Sequence, residues 1–177
     1  MRKSAAQALG DLKACGRDRQ EEMVEHLTIA LADEEPPVRV AAANVLGRLK
    51  SLKALDPLIL ALKDKYPWVR CAALRALKEI PEEKSKHALQ SSLSDKAPQV
   101  AITAMELIKE VMGRRALNIL LESLRHPHPQ VVIQGIRCIK AFKGRKVIEA
   151  LKGLLQHEEE EVRQQAMSVL KEARLSR

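Results

Sequence analysis

Five histidines and three cysteines are the side chains in this sequence best suited to metal ligation or nucleophilic chemistry. His126 and His128 alternate with Pro127 and Pro129, and alternate residues of an extended turn can face one way, as paired metal ligands do. The plainer reading is a polar turn built on prolines. His157 comes next, and if it stands one helical layer further on it lies about 8–10 Å away, wide for a shared ion. No metal is assigned. Cys15, Cys71 and Cys138 are odd in number and far apart, with no CxxC pair. They read as small core or groove residues of a protein in a reducing, intracellular setting, cytoplasmic with the nucleus left open. No catalytic constellation and no cofactor is assigned.

The elements that would position these residues must be helical. The chain has 177 residues, 46% of them apolar, which is enough for a buried core and argues against disorder. Tyr66, Trp68 and Phe142 are its only aromatics, so the core rests on Ala, Leu, Val and Ile, as thin stacked layers would. No run approaches the roughly 18–20 apolar residues of a membrane span. Arg2 and Lys3 precede an Ala-rich stretch, but Gln7, Asp11 and Lys13 interrupt it, so it is no secretory leader. The net charge of +8 favours acidic partners, nucleic acid or anionic surfaces.

Internal repetition decides the fold. The segments VRVAAANVLGRLK, VRCAALRALKEI, VAITAMELIKEV, VVIQGIRCIKAF and VRQQAMSVLKEA begin at Val38, Val69, Val100, Val131 and Val162, each 31 residues after the last. RKSAAQALGDLK near the N-terminus fits the same pattern, with Leu9 standing for Leu46. Before each segment runs a second apolar pattern, the columns Leu27/Leu58/Leu89/Leu120/Leu151 and Leu31/Leu62/Leu93/Leu124/Leu155. Apolar residues at intervals of three and four make amphipathic helices. Each unit is therefore a helix A, a short turn and a helix B. The small column Ala42, Ala73, Ala104, Gly135 and Ala166 lets helices approach closely. Pro36, Pro67, Pro98 and Pro129, with Glu160 in the last unit, mark where each helix B starts. Gly113 and Gly144 fall where the left-handed residue after helix B is expected.

These residues resemble HEAT repeats. Asp33 before Val38-Arg39, Asp64 before Val69-Arg70, Pro57 inside helix A, and the Val-Arg-x-Ala-Ala-x-x-Leu-Gly form from Val38 to Gly47 carry the likeness, closest to the bilin-lyase-type HEAT-like subclass. The resemblance implies an all-α, right-handed α-solenoid of antiparallel helix pairs, about five and a half repeats long. Residues 1–13 would form a partial first repeat, helix B only, followed by repeats at 20–50, 51–80, 82–112, 113–143 and 144–174. An opening helix B without its partner exposes an apolar end that invites association, as in a piece of a longer array. Gln164, Gln165 and Glu158 to Glu161 give the final unit the polar character of a cap. The family's Asp–Arg pairing lapses at Asp95/Ala101 and His126/Val132 and is altered at His157/Arg163.

The family includes enzymes. Deoxyhypusine hydroxylase resembles this subclass and holds iron with His-Glu pairs just after the Val-Arg step. Those positions here are Val40-Ala41, Cys71-Ala72, Ile102-Thr103, Ile133-Gln134 and Gln164-Gln165, none able to ligate iron. The one His-Glu pair, His157-Glu158, lies in a turn without a partner pair. HEAT-like DNA glycosylases surround a lesion with aromatic, acidic and basic side chains, a poor match to a chain with Trp68 alone. No catalytic residue of the bilin lyases can be placed. The expectation is a non-catalytic scaffold.

In HEAT solenoids the B helices line the concave surface. On a wheel of about 100° per residue, Val38, Ala42, Val45, Leu46 and Leu49 point inward. The opposite face then holds an apolar strip beside a basic row. The expected groove is Cys71, Leu74, Arg75, Lys78, Ile102, Met105, Lys109, Ile133, Ile136, Arg137, Lys140 and Lys171. Apolar surface of that kind marks interaction sites, and an amphipathic or extended protein segment with acidic flanks would suit it. The competing reading turns the B helices by about 40° and packs the strip between repeats. Nucleic-acid or phosphate binding through the lysines and the turns Arg114-Arg115 and Arg145-Lys146 is the alternative function. A purely structural terminal segment of a larger solenoid is the second.

Overall fold

The computed structural model describes residues 17–175; the expected half-repeat over 1–13, its exposed N-terminal face and Cys15 lie outside them. Among these residues are ten α-helices and no strand: α1 Arg17–Ala30, α2 Pro36–Leu49, α3 Leu55–Ala61, α4 Pro67–Lys78, α5 Glu83–Ser91, α6 Pro98–Met112, α7 Leu117–Glu122, α8 Pro129–Ile139, α9 Arg145–Gly153 and α10 Glu160–Leu175. The chain divides into two compact units, Met1–Ile80 and Pro81–Arg177. In the first, α2 packs against α1 and, most extensively, against α4, while α3 covers α4. In the second, α5 pairs with α6, α7 with α8 and α9 with α10, and the B helices α6, α8 and α10 stack in succession.

The punctuation follows from local chemistry. Helices α2, α4, α6 and α8 begin at Pro36, Pro67, Pro98 and Pro129, each after an extended residue, because proline's fixed φ suits a first turn and its missing N–H is not needed there. Glu160 and Glu161 open α10, where carboxylates favour the helix dipole. The residues after α6 and before α9, Gly113 and Gly144, have φ of +51° and +132°, values that L side chains resist. In the second unit the A helices α5, α7 and α9 are short and close in the 3-10 turns Ser92–Ser94, Ser123–Arg125 and Leu154–Gln156. Leu58, Leu89, Leu120 and Leu151 are sealed beneath them. Gly135 sits in a tight place: a Cβ there would stand 2.7 Å from Ser123 Oγ and 2.9 Å from a Leu124 methyl, so those side chains would have to shift.

The turns between A and B share one hydrogen-bond scheme. Asp33, Asp64 and Asp95 each accept from the backbone N–H two residues on, at 2.8 Å. His126 and His157 do the same through Nδ1, at 3.0 and 3.1 Å. Arginine near the start of helix B then ties down the turn carbonyls: Arg39 donates to Asp33 and Glu34, Arg70 to Asp64 and Lys65, Arg163 to His157 and Glu158. Arg39 also reaches the next turn, where its guanidinium meets both Asp64 carboxylate oxygens at 2.6 and 3.1 Å. Burial pushes the Asp64 carboxyl up, but hydrogen bonds from Arg39 and the Tyr66 N–H and the charges of Arg39 and Arg70 outweigh it and hold the group below its ordinary value.

At Ala101 the arginine is missing, and the Asp95 carbonyl is met instead by His126 Nε2 at 3.3 Å. Because Nδ1 accepts, the proton sits on Nε2, which is the tautomer that this contact needs. The histidine that breaks the Asp–Arg pattern in the sequence thus performs both halves of it. His126→Asp keeps the turn acceptor but frees the Asp95 carbonyl, and is expected to lower the melting temperature by roughly 2–4 °C, about 1 kcal/mol. Adding Ala101→Arg rebuilds the Arg39–Asp64 type of pair and recovers the loss. Thermal melts of the three chains check this; a double variant no more stable than His126→Asp contradicts it.

Candidate functional site

The residues expected to form one groove divide into two sets. Leu74, Met105 and Ile136 have no exposure, and Cys71 and Ile133 retain only 6%; Ile102 is half-buried. The apolar floor expected from the sequence is therefore not a surface. The physical reason is stacking. Each B helix is covered by its own A helix and also by B helices of adjacent repeats, α2 by α4 and α8 by α6 and α10. That second contact widens the buried arc of the helix. The column Leu74, Met105 and Ile136 falls inside this arc.

The polar members stay outside. Arg75, Lys109, Arg137, Lys140 and Lys171 are exposed and Lys78 is half-buried. In the first unit Arg75 lies with Asn44, Arg48 and Glu79, and in the second Lys109 and Arg137 lie with Glu106, Glu110 and Gln134, and Lys140 with Glu172. Lys50 and Lys78 approach Glu79 at 3.2 and 3.6 Å, and Lys140 pairs with Glu172 at 2.6 Å. Gln134 donates to Glu106 at 3.3 Å. The hydrogen bond from Lys50, with the charges of Lys50 and Lys78, overcomes burial and holds the Glu79 carboxyl below its ordinary value.

Two open troughs result, one in each unit. The first, about 650 Å³, lies between Asn44, Gly47 and Arg48 on α2 and Arg75 and Ala76 on α4, with Glu79 following. The second, about 550 Å³, lies between Glu106, Lys109 and Glu110 on α6 and Gln134, Arg137 and Cys138 on α8. Their walls carry side chains of both charges, with hydrogen-bond donors and acceptors among them. Burial pushes the Cys138 thiol up, opposed by the charge of Lys109, so this sulfur is a packing group and not a nucleophile.

The histidine turn is committed to its own backbone. Besides His126, His128 Nδ1 accepts from the Gln130 N–H at 3.3 Å. Among the described residues no group of three or more His, Cys, Asp or Glu side chains is arranged to hold a metal ion. No helix of the described residues is long and apolar enough to cross a membrane.

A family profile for HEAT repeats matches residues 24–109 and 88–171. Among solved structures, the complex of CpcE and CpcF of phycocyanin lyase from Nostoc sp. PCC7120 is similar over 86% of this chain and 66% of that chain, with 24% identity and a TM-score of 0.59. This chain thus spans a little under two thirds of that one, and the likeness is one of fold. A designed armadillo repeat protein in complex with the peptide (KR)4 is 20% identical over 97% of this chain and 92% of its own, with a TM-score of 0.47. Human deoxyhypusine hydroxylase in complex with glycerol is 13% identical over 99% and 91%, with a TM-score of 0.43. No curated protein matches the chain.

Exposed Arg137 and Cys138, which is 4% exposed, are adjacent in sequence on opposite sides of the line between open and stacked surface. Iodoacetamide at neutral pH, followed by mass spectrometry, is expected to modify the Arg137→Cys thiol at least roughly tenfold faster than native Cys138. Equal rates would mean that the flank of α8 is open.

Proposed function

The chain belongs to the HEAT-repeat family, and we propose that it is a non-catalytic scaffold holding a protein segment against the exposed face of its B helices. The observation that carries this reading is the recurrence, in both units, of a trough between neighbouring B helices walled by charged and amide side chains. An extended segment advances about 3.3 Å per residue and packed helices lie about 8–10 Å apart, so three residues of ligand span one repeat. The side chains at repeated positions can then meet the ligand backbone at a regular interval. Arg75 in the first unit, and Lys109, Arg137 and Lys171 in the second, each favour a segment with acidic residues and steer its approach.

Carboxylates interleave this face, which disfavours a nucleic-acid ligand. Lys140 is matched by Glu172 and Lys78 by Glu79, and Lys109 stands between Glu106 and Glu110 in sequence. A phosphate backbone would meet those carboxylates at the end of α4 and along α6 and α10. Cysteines buried in the packing, as Cys71 and Cys138 are, suit a reducing, intracellular setting.

An array of extended peptides graded in charge tests the proposal. The native chain should retain acidic peptides. The Lys109→Glu/Arg137→Glu chain should lose them by roughly tenfold, with its far-UV circular dichroism unchanged. The proposal is overturned if both chains retain the same peptides equally, or if single-stranded RNA displaces them from the native chain at lower concentration.

A further inference from the structure

A second cavity in the Pro81–Arg177 unit differs in kind from the troughs. It measures about 350 Å³ and lies where the end of α8, the start of α9 and the C-terminal part of α10 meet. Its walls are Phe142, Val147, Ile148, Leu151 and Val169, and Lys140 and Lys143 stand at its rim with Glu172. A Cβ on Gly144 would have nothing within 4 Å, so the mouth is open beside that residue. The cavity is of a size to take one large aliphatic or aromatic side chain.

Around it lies the most basic stretch of this unit. Lys143, Arg145 and Lys146 follow α8, and Arg114 and Arg115 occupy the same turn one repeat earlier; all five are exposed. Arg145 is paired with Glu149 at 2.6 Å, and Lys146 meets only the neutral Asn118 amide oxygen at 3.3 Å. Arg114, Arg115 and Lys143 have no ion pair among the described residues. Positive charge at the start of α9 also works against that helix's dipole.

We infer that this pocket and its rim take a single apolar side chain from an acidic partner segment, with Asp or Glu on either side of it. The inference rests on the reading of the chain as a protein-binding scaffold, and names the anchor and its chemistry. Burial of the apolar side chain supplies affinity, and a flanking carboxylate reaches Lys143 at the rim. Nucleic acid fits poorly, because the apolar walls offer a base no hydrogen-bond partner and Phe142 is the only ring. The run Glu158 to Glu161 of a second copy fits poorly too: the next apolar residue, Val162, is fully buried in its own unit.

The probe is a fluorescein-labelled peptide of about twelve residues, a central Phe flanked by glutamates, titrated into the full chain by anisotropy. Ile148→Glu and Lys143→Glu are each expected to weaken binding roughly tenfold or more. The peptide with Ala in place of Phe should weaken equally. Ile148→Ala serves if Ile148→Glu fails to give a native melt, and should weaken binding severalfold. Lys63→Glu, at an exposed lysine outside both troughs and the pocket, should bind the probe as the native chain does, so loss confined to the Ile148 and Lys143 chains points to the pocket, and loss in the Lys109→Glu/Arg137→Glu chain with the Ile148 and Lys143 chains unaffected points to the troughs. The inference is overturned if the Ile148 and Lys143 variants bind as the native chain does. It is equally overturned if the Ala peptide matches the Phe peptide, if polyuridylate of equal charge binds more tightly, or if dilution shows a self-dimer that the probe must displace.

Discussion

How closely two B helices can approach governs much of this molecule. A Cβ on Gly47 would stand 2.7 Å from the Ala76 Cα and 3.0 Å from its Cβ, so α2 and α4 touch backbone to backbone at that point. The buried Ala42, Ala73, Ala104 and Ala166 keep the other B helices slender in the same way. Slender helices pack on more than one flank, and the packing between repeats then buries side chains that a lone helical hairpin would leave exposed. The location of the core, the polarity of the outer face and the absence of an apolar floor follow from that single geometric fact.

Between the layers the turns do the second part of the work. Asp33, Asp64 and Asp95 cap their own turns, and Arg39 links its turn to the next through a pair whose side chains are only 9% and 11% exposed. A pair so enclosed costs desolvation of both ions, and is tolerated because the guanidinium also satisfies two backbone carbonyls. His126 reproduces this in a neutral form, donating to the turn before it and accepting within its own. The substitution looks like a gap when only Asp and Arg are followed along the chain. It is a change of chemistry at a conserved geometry of the turn.

Much of the fold was legible from the sequence because it depends on local rules repeated at a constant interval. The prolines at the starts of α2, α4, α6 and α8, the glycines at positive φ and the leucines under the A helices all stand where their chemistry places them. The candidate site was legible only in part. The basic members Arg75, Lys109, Arg137, Lys140 and Lys171 are exposed as expected, whereas Leu74, Met105 and Ile136 are sealed. A helical wheel treats each helix as having one partner, and here each has several. The signal was present: the column Ala43, Leu74, Met105, Ile136 and Met167 is apolar at every position, too consistent for a solvated face, and its first four members are buried. The cavity beside Phe142 could not be read at all, since its walls come from separate elements that only the tertiary packing brings together.

The contact between Gly47 and Ala76 offers the most direct measurement of the central claim. In an ordinary helix Gly47→Ala gains about 1 kcal/mol. Here the added methyl must push α4 away, at a cost of about 1–3 kcal/mol. The account predicts that calorimetry of the full chain finds Gly47→Ala melting roughly 2–4 °C below the native protein. A variant melting at or above the native temperature would mean that the B helices are not held at backbone contact, and the explanation of the sealed column would fall with it.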